Sequence, residues 1–275
     1  MTQQTIGFIG AGNMARSLAG GLLNNGWPRE RLVFSDPDPQ QRQAIETALG
    51  VRTFASNRDC AGHAQVLVLA VKPQVLKAVA HDLAATVQAH KPLVISIAAG
   101  VRTEAIERWL GGGLALVRAM PNTPALVGSG ASGLYANPRV SPEQRDHAEA
   151  LLRAVGVTVW LDREDLLDAV TAVSGSGPAY FFLFIEALEA AGIRAGLDAA
   201  TARLLAIETA YGAAKMALES GEEPAQLRKR VTSPGGTTER AIAVMEQAQL
   251  RDIIERAVLA ARTRSEELAR LLGKD

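Results

Sequence analysis

The chain has 275 residues, enough for one large domain or two ordinary ones, and with 48% apolar and 21% charged residues its composition is globular. Its 29 basic residues balance 29 acidic ones, so no global field draws it to nucleic acid or to an anionic membrane. Cys60 is alone and the four histidines, His63, His81, His90 and His147, lack ligand spacing, which excludes a disulfide framework and a thiolate zinc site and leaves no metal expected.

The first part of the chain alternates short apolar runs with segments of helical period. Thr5–Gly10 (TIGFIG) reads as a strand and Asn13–Asn25 as a helix; Leu32–Ser35 and Gln40–Leu49 repeat the pair. Val66–Val71 (VLVLAV) is apolar throughout, as a parallel strand covered on both faces should be, and leads into a helix at Pro73–Ala85. Leu93–Ala98 (LVISIA) is a further buried strand, followed by a helix at Thr103–Leu110. Strands at Leu114–Met120 and Gly133–Ala136, a helix at Pro142–Val155 and a strand at Val157–Leu161 complete the series. Such alternation implies βαβ units, a parallel sheet and helices on both faces, hence a Rossmann-type α/β domain over residues 1–162.

From Glu164 onward helical periods dominate: Glu164–Val173, Pro178–Ala195, Asp198–Leu218, Pro224–Arg230, Thr238–Gln247 and Leu250–Leu272. Residues 163–275 are therefore expected to form an all-α C-terminal domain. Helices such as Thr201–Leu218 are rich in Ala and Leu on more than one face, more than a small domain can cover. A second copy across a two-fold axis is the expected cover, which makes this a dimerisation domain and the protein a homodimer. The most apolar stretch, Ala179 to Ile185, stops at Glu186, well short of the roughly 20 residues a membrane span needs. No basic flank leads an apolar signal core, and a soluble, cytoplasmic protein is expected.

Gly10-Ala11-Gly12-Asn13-Met14-Ala15 follows the first strand and opens the first helix. The first glycine permits a tight turn, the second lets a pyrophosphate approach the backbone, and the small Ala15 allows close helix–strand packing. The N–H groups and dipole of the helix start then face the phosphates. A nicotinamide dinucleotide is the expected cofactor. An acidic residue about 20 positions past such a motif accepts from a ribose 2′-OH, and Asp36, after Ser35, stands there. It would repel a 2′-phosphate unless Arg42, Asn57 or Arg58 compensates; the other reading is a cap on the turn at Pro37. NADPH and NADH both stay open. Ala70-Val71-Lys72-Pro73 and Ala98-Ala99-Gly100 follow two later strands, where an open α/β sheet binds its ligand, and the small residues at Ala98 leave room for a nicotinamide.

Three Gly/Pro-rich segments lie beside apolar elements: Arg118 to Pro124 (RAMPNTP), Ser174 to Tyr180 (SGSGPAY) and Val231 to Glu239 (VTSPGGTTE). The last opens a helix, with Thr237 or Thr238 as the expected N-cap, and its N–H groups can converge on an anion. Together with FIGAGNMA, AVKP and DAVTAV, in order and spacing along essentially the whole chain, these segments resemble the pyrroline-5-carboxylate reductase family. The resemblance implies hydride transfer from NAD(P)H to the C=N bond of 1-pyrroline-5-carboxylate, giving L-proline, the final step of proline biosynthesis. It implies a dimer through C-terminal helices, often assembled into a decamer. It assigns the substrate carboxylate to Gly235, Gly236, Thr237 and Thr238, the ring nitrogen to the Thr238 hydroxyl, and an acidic position near the substrate to Glu164. Asn13 and Met14 would flank the pyrophosphate, and Asn57, Val71, Lys72, Ala98 and Asn122 would line the cofactor groove. Asp36 departs from the hydroxyl or Asn-Arg that many members carry there.

Imine reduction suits this inventory. A pyrroline nitrogen is basic enough to be protonated near neutrality, so the protein's task is mainly orientation, and no histidine need stand in the motifs. A carbonyl reductase would need a strong proton donor for the developing alkoxide. One alternative is thus a β-hydroxyacid dehydrogenase-like oxidoreductase using Lys215 as acid, although a lysine on such a helix ordinarily extends to water. Another is a non-catalytic NAD(P)-binding sensor.

Overall fold

The computed structural model describes residues 4–273. Eight strands form one sheet in the order β3-β2-β1-β4-β5-β6-β7-β8. They are β1 (Ile6–Ile9), β2 (Leu32–Ser35), β3 (Arg52–Phe54), β4 (Val66–Leu69), β5 (Leu93–Ser96), β6 (Leu116–Met120), β7 (Gly130–Ala136) and β8 (Gly156–Trp160). Every residue of β1, β2, β4 and β5 is buried, so the continuous apolar runs in the sequence mark strands covered on both faces.

Strand alternation sorts these residues into two cores. Ile6, Phe8, Leu32, Phe34, Val66, Val68, Leu93 and Ile95 join one cluster. Their neighbours Ile9, Val33, Leu67, Leu69 and Val94 join the other. On the first face α1 (Asn13–Asn24) buries Ala15, Leu18, Ala19 and Leu22, an i, i+3, i+4, i+7 stripe. On the second α4 (Pro73–His90) buries Leu76, Ala80, Leu83 and Val87. Phe8 and Phe34, paired in register across β1 and β2, stack at 4.6 Å between ring centroids. The remaining helices of this region are α2 (Pro39–Leu49), α3 (Asn57–Gly62), α5 (Thr103–Trp109), α6 (Pro142–Arg153) and α7 (Leu166–Val170).

Several details depart from the sequence expectations. β3 and α3 are additional elements; a strand of one exposed and two half-buried residues and a six-residue helix carry no periodic apolar pattern. β7 runs antiparallel to β6. Residues 121–129 link them, too short a stretch for the crossover that parallel neighbours require, and it holds only a 3₁₀ turn. The helix expected over Glu164–Val173 starts at Leu166 and widens into a π-helix at Thr171–Gly175.

The chain forms two compact units. One holds the residues up to Ser176 together with those from Ala260, the other Gly177–Leu259. The first extends past β8 because α7 packs on β6 and β7, and it includes the end of α12 (Leu250–Leu272). The second contains α8 (Gly177–Arg194), α9 (Ala199–Glu219), α10 (Pro224–Arg230) and α11 (Thr237–Gln247). Asp198 caps α9, accepting from the Thr201 N–H at 3.0 Å and its hydroxyl at 2.6 Å. Within this unit Phe181, Phe182, Leu183, Leu204, Tyr211, Met216 and Val244 all lie more than half exposed. No helix among the described residues is long and apolar enough to cross a membrane.

The Phe8–Phe34 stack ties β1 to β2 at the centre of the first core. Phe34→Ala is expected to lower the unfolding free energy by about 3–5 kcal/mol, read as a shifted urea midpoint with an unchanged slope.

Candidate active site

The strand order reverses at β1, which has β2 on one side and β4 on the other, so successive connections leave the sheet in opposite directions. A crevice at the carboxyl ends of the strands follows from that reversal. Gly10 turns the chain out of β1 with φ +100°. A Cβ there would lie 2.7 Å from the Ala70 carbonyl oxygen, so only glycine fits. The Gly10 N–H donates to the Ser35 carbonyl and the Ala70 N–H to the Ile9 carbonyl, both at 2.8 Å, tying the turn to β2 and β4. Ala11 is fully buried. Gly12 caps α1 in an ordinary extended conformation, φ −73°, and a Cβ on it would meet no atom within 4 Å. The N–H groups at the start of α1 thus border open space that a side chain at position 12 would fill, which fits a pyrophosphate seat. Asn13 is exposed, and Met14 is half-buried against the first core.

The other expected cofactor residues gather at the same ends of the strands, with differing freedom. Ser35 is fully buried and its hydroxyl donates to Asn57 Oδ1 at 2.8 Å, so it presents no open surface of its own. Asp36 accepts from the Ala11 N–H through Oδ2 at 2.9 Å and from the Asp38 N–H through Oδ1 at 3.0 Å. Ala70 and Val71 lie against the Gly10 turn, and the exposed Lys72 and half-buried Pro73 open α4. Ala98 is buried just after β5. Asn122 is buried as well: its Nδ2 donates to the Ser174 carbonyl at 3.0 Å and its Oδ1 accepts from the Ala131 N–H at 2.8 Å. It therefore ties the π-helix to β7. Cys60 is buried beneath β1; burial pushes its thiol up to about 12, against weaker lowering by Ser35 and the Phe8 carbonyl, so it is no nucleophile.

In the second unit, the segment from Ser233 to Thr238 begins α11. Gly236 is the N-cap and Thr237 the first helical residue, in place of the threonine cap expected from the sequence. A glycine cap suffices because Gly236 is extended, φ −82° and ψ 170°, and its N–H donates to the Ser233 carbonyl at 3.0 Å. Gly235 adopts φ +71° and donates its N–H to Glu239 Oε2 at 2.7 Å. The N–H groups of Thr237 and Thr238 head the helix, where a carboxylate is favoured. Lys215 is half exposed and lies 4.0 Å from Glu219 one helical turn on, a surface cation rather than a catalytic acid.

Glu164 sits in a polar network that the sequence did not disclose. Its Oε1 accepts from the Thr103 N–H at 2.7 Å and from Arg118 Nη1 at 3.1 Å; its Oε2 accepts from the Thr103 hydroxyl at 2.8 Å. Alongside, the buried Asp168 accepts from Arg102 Nη2 and from the Ser265 hydroxyl, each at 2.7 Å. Burial holds the Arg118 guanidinium below its ordinary range, and Glu164 opposes that shift. The sequence signal was an arginine inside the apolar strand LVRAM, which demands a buried partner. Among the described residues no cluster of His, Cys, Asp or Glu could hold a metal. Glu164→Ala strands Arg118 and uncaps α5, and should lower stability by about 3–5 kcal/mol, measured by denaturant titration.

With this geometry in view, comparison with known proteins places the chain. Residues 164–268 match the model for pyrroline-5-carboxylate reductase dimerisation, and residues 5–100 match that for coenzyme F420-dependent NADP oxidoreductases. The pyrroline-5-carboxylate reductase of Pseudomonas aeruginosa is 50% identical, with all of both chains covered. That of Pisum sativum is 40% identical over 96% of each. A solved pyrroline-5-carboxylate reductase from Coxiella burnetii superposes with a TM-score of 0.94 at 46% identity, covering 98% of this chain and 99% of that one. The Plasmodium falciparum structure, with NADP bound, gives 0.86 at 30% identity over the same shares. A full-length match at this identity, carried on a glycine turn at the strand-order reversal, shows that the chain belongs to the pyrroline-5-carboxylate reductase family.

Proposed function

We propose that the chain reduces 1-pyrroline-5-carboxylate to L-proline with NADPH or NADH, the last step of proline biosynthesis. The observation that carries this reading is the open seat at Gly12, directly after a turn only glycine can make, in a chain whose full-length relatives are pyrroline-5-carboxylate reductases.

The nicotinamide dinucleotide, when bound, supplies the hydride. The chain's own residues hold and orient. Gly10, Ala11 and Gly12 shape the phosphate turn, and the N–H groups from Gly12 to Met14 receive the pyrophosphate. Ser35, Asp36 and Asn57 border the ribose end; Ala70, Val71, Lys72, Pro73, Ala98 and Asn122 border the nicotinamide end. On the substrate side, the N–H groups of Thr237 and Thr238 take the carboxylate, on a turn that Gly235 and Gly236 shape with their own N–H groups held by Glu239 and the Ser233 carbonyl; the Thr238 hydroxyl hydrogen-bonds the ring nitrogen, orienting a carbon that protonation of the imine already makes electrophilic. Glu164 fixes Arg118 and the start of α5, since both its oxygens already have partners. The working division is residues 1–162 for the dinucleotide and 163–275 for substrate and dimerisation.

The match to the dimerisation model supports a homo-oligomer. The exposed Phe181, Phe182, Leu183, Leu204 and Tyr211 support a homodimer covered through α8 and α9, because a lone unit would leave these side chains in water. A decamer built from such dimers and a cytoplasmic location complete the proposal.

The purified chain is expected to oxidise NADPH or NADH only when 1-pyrroline-5-carboxylate is present, and to form proline. Thr238→Ala should lower kcat on the order of 100-fold, the lower end of the range for losing one positioned donor, while dinucleotide affinity holds. Equal loss of dinucleotide binding in that variant would contradict the role given to Thr238.

A further inference from the structure

The two peptide groups that flank Ala11, at the centre of the glycine turn, are each held by a charged side chain. The Ala11 N–H donates to Asp36 Oδ2 at 2.9 Å, and the Ala11 carbonyl accepts from Arg16 Nε at 2.9 Å. Arg16 continues to Gln41 Oε1 at 2.6 Å, and Arg42 Nη1 donates to the Asp36 carbonyl at 2.7 Å. The other oxygen of Asp36 holds the Asp38 N–H, the residue that caps α2. Ala11 itself is wholly buried. The turn is thus fixed before any ligand arrives, and the first N–H left to meet a phosphate is that of Gly12.

We propose that Asp36 is a positioning residue that preorganises the phosphate turn, and that it is not the acid that selects between a ribose 2′-hydroxyl and a 2′-phosphate. An acid at the end of the second strand ordinarily accepts from the ribose and so favours NAD. Here the carboxylate is bonded through both oxygens to backbone N–H groups, which disperse its charge. Its removal frees the Ala11 N–H, and the cost falls on the pyrophosphate, which NADH and NADPH share. This inference rests on the dinucleotide lying at the glycine turn.

The experiment measures Kd for NADH and for NADPH by fluorescence titration of the full-length protein, with kcat, KM and thermal midpoint, in Asp36→Ala, Asp36→Asn and Gly12→Val. For Asp36→Ala both Kd values should rise about tenfold, the scale of one lost charge-assisted hydrogen bond, with their ratio and the saturated kcat preserved. Asp36→Asn keeps an acceptor for the Ala11 N–H and should fall between parent and alanine. Gly12→Val should fold normally and lose both dinucleotides. If Asp36→Ala weakens NADH and tightens NADPH, Asp36 reads the ribose and the proposal is overturned. Unchanged Kd values, or a kcat that falls only in step with the thermal midpoint, overturn it equally. If Gly12→Val binds as the parent does, the seat itself is misplaced, a failure distinct from that of Asp36.

Discussion

The chain leaves β1 through a position that tolerates no side chain. The Ala70 carbonyl stands behind Gly10, and the turn needs φ +100°, so both sterics and backbone conformation demand glycine. Much else follows. The hydrogen bonds Gly10 to Ser35 and Ala70 to Ile9 keep β2 and β4 flush with β1 up to the end of the sheet. Ala11 is then enclosed, and α1 starts with its N–H groups at the strand-order reversal. The proposed dinucleotide seat follows from this constraint, because a helix start with unoccupied space before it attracts phosphate.

The sheet was legible where strands are buried on both faces. VLVLAV and LVISIA leave no polar side to mistake, and their neighbours sort cleanly into the two cores. The same rule is silent about β3, whose three residues lie at the sheet edge, and about the direction of β7, which depends on the length of its link and not on its composition. The glycine turn could be read from spacing because Gly10 answers a steric demand, a Cβ there running into the Ala70 carbonyl. The fate of Asp36 could be read only in part: the cap on the turn at Pro37 is local and was one of its two readings, but its bond to the Ala11 N–H depends on where residues 25 positions apart come to rest. Glu164 shows the same limit. Its partners Thr103 and Arg118 lie far away in the chain, and only the anomaly of an arginine within an apolar strand hinted at them.

The polar network around Arg118 and Asp168 gives the first unit a specific register for its last segments. Ser265, near the end of α12, reaches Asp168, while Leu268 packs over the position where Gly100 lacks a side chain. Buried ion pairs add little net stability against an apolar alternative, yet each partner is costly to remove, so such a network favours one arrangement over its near competitors. The second unit has the opposite character. It holds few buried charges and a broad apolar surface on α8 and α9, the composition of a unit that becomes complete on association.

A crystal structure of the full-length protein with NADPH and proline tests the central placement most directly. The pyrophosphate oxygens are expected within hydrogen-bond distance, about 2.7–3.2 Å, of the N–H groups from Gly12 to Met14, with Ala11 still bound to Asp36. A pyrophosphate bound elsewhere, with those N–H groups facing only water, would contradict it.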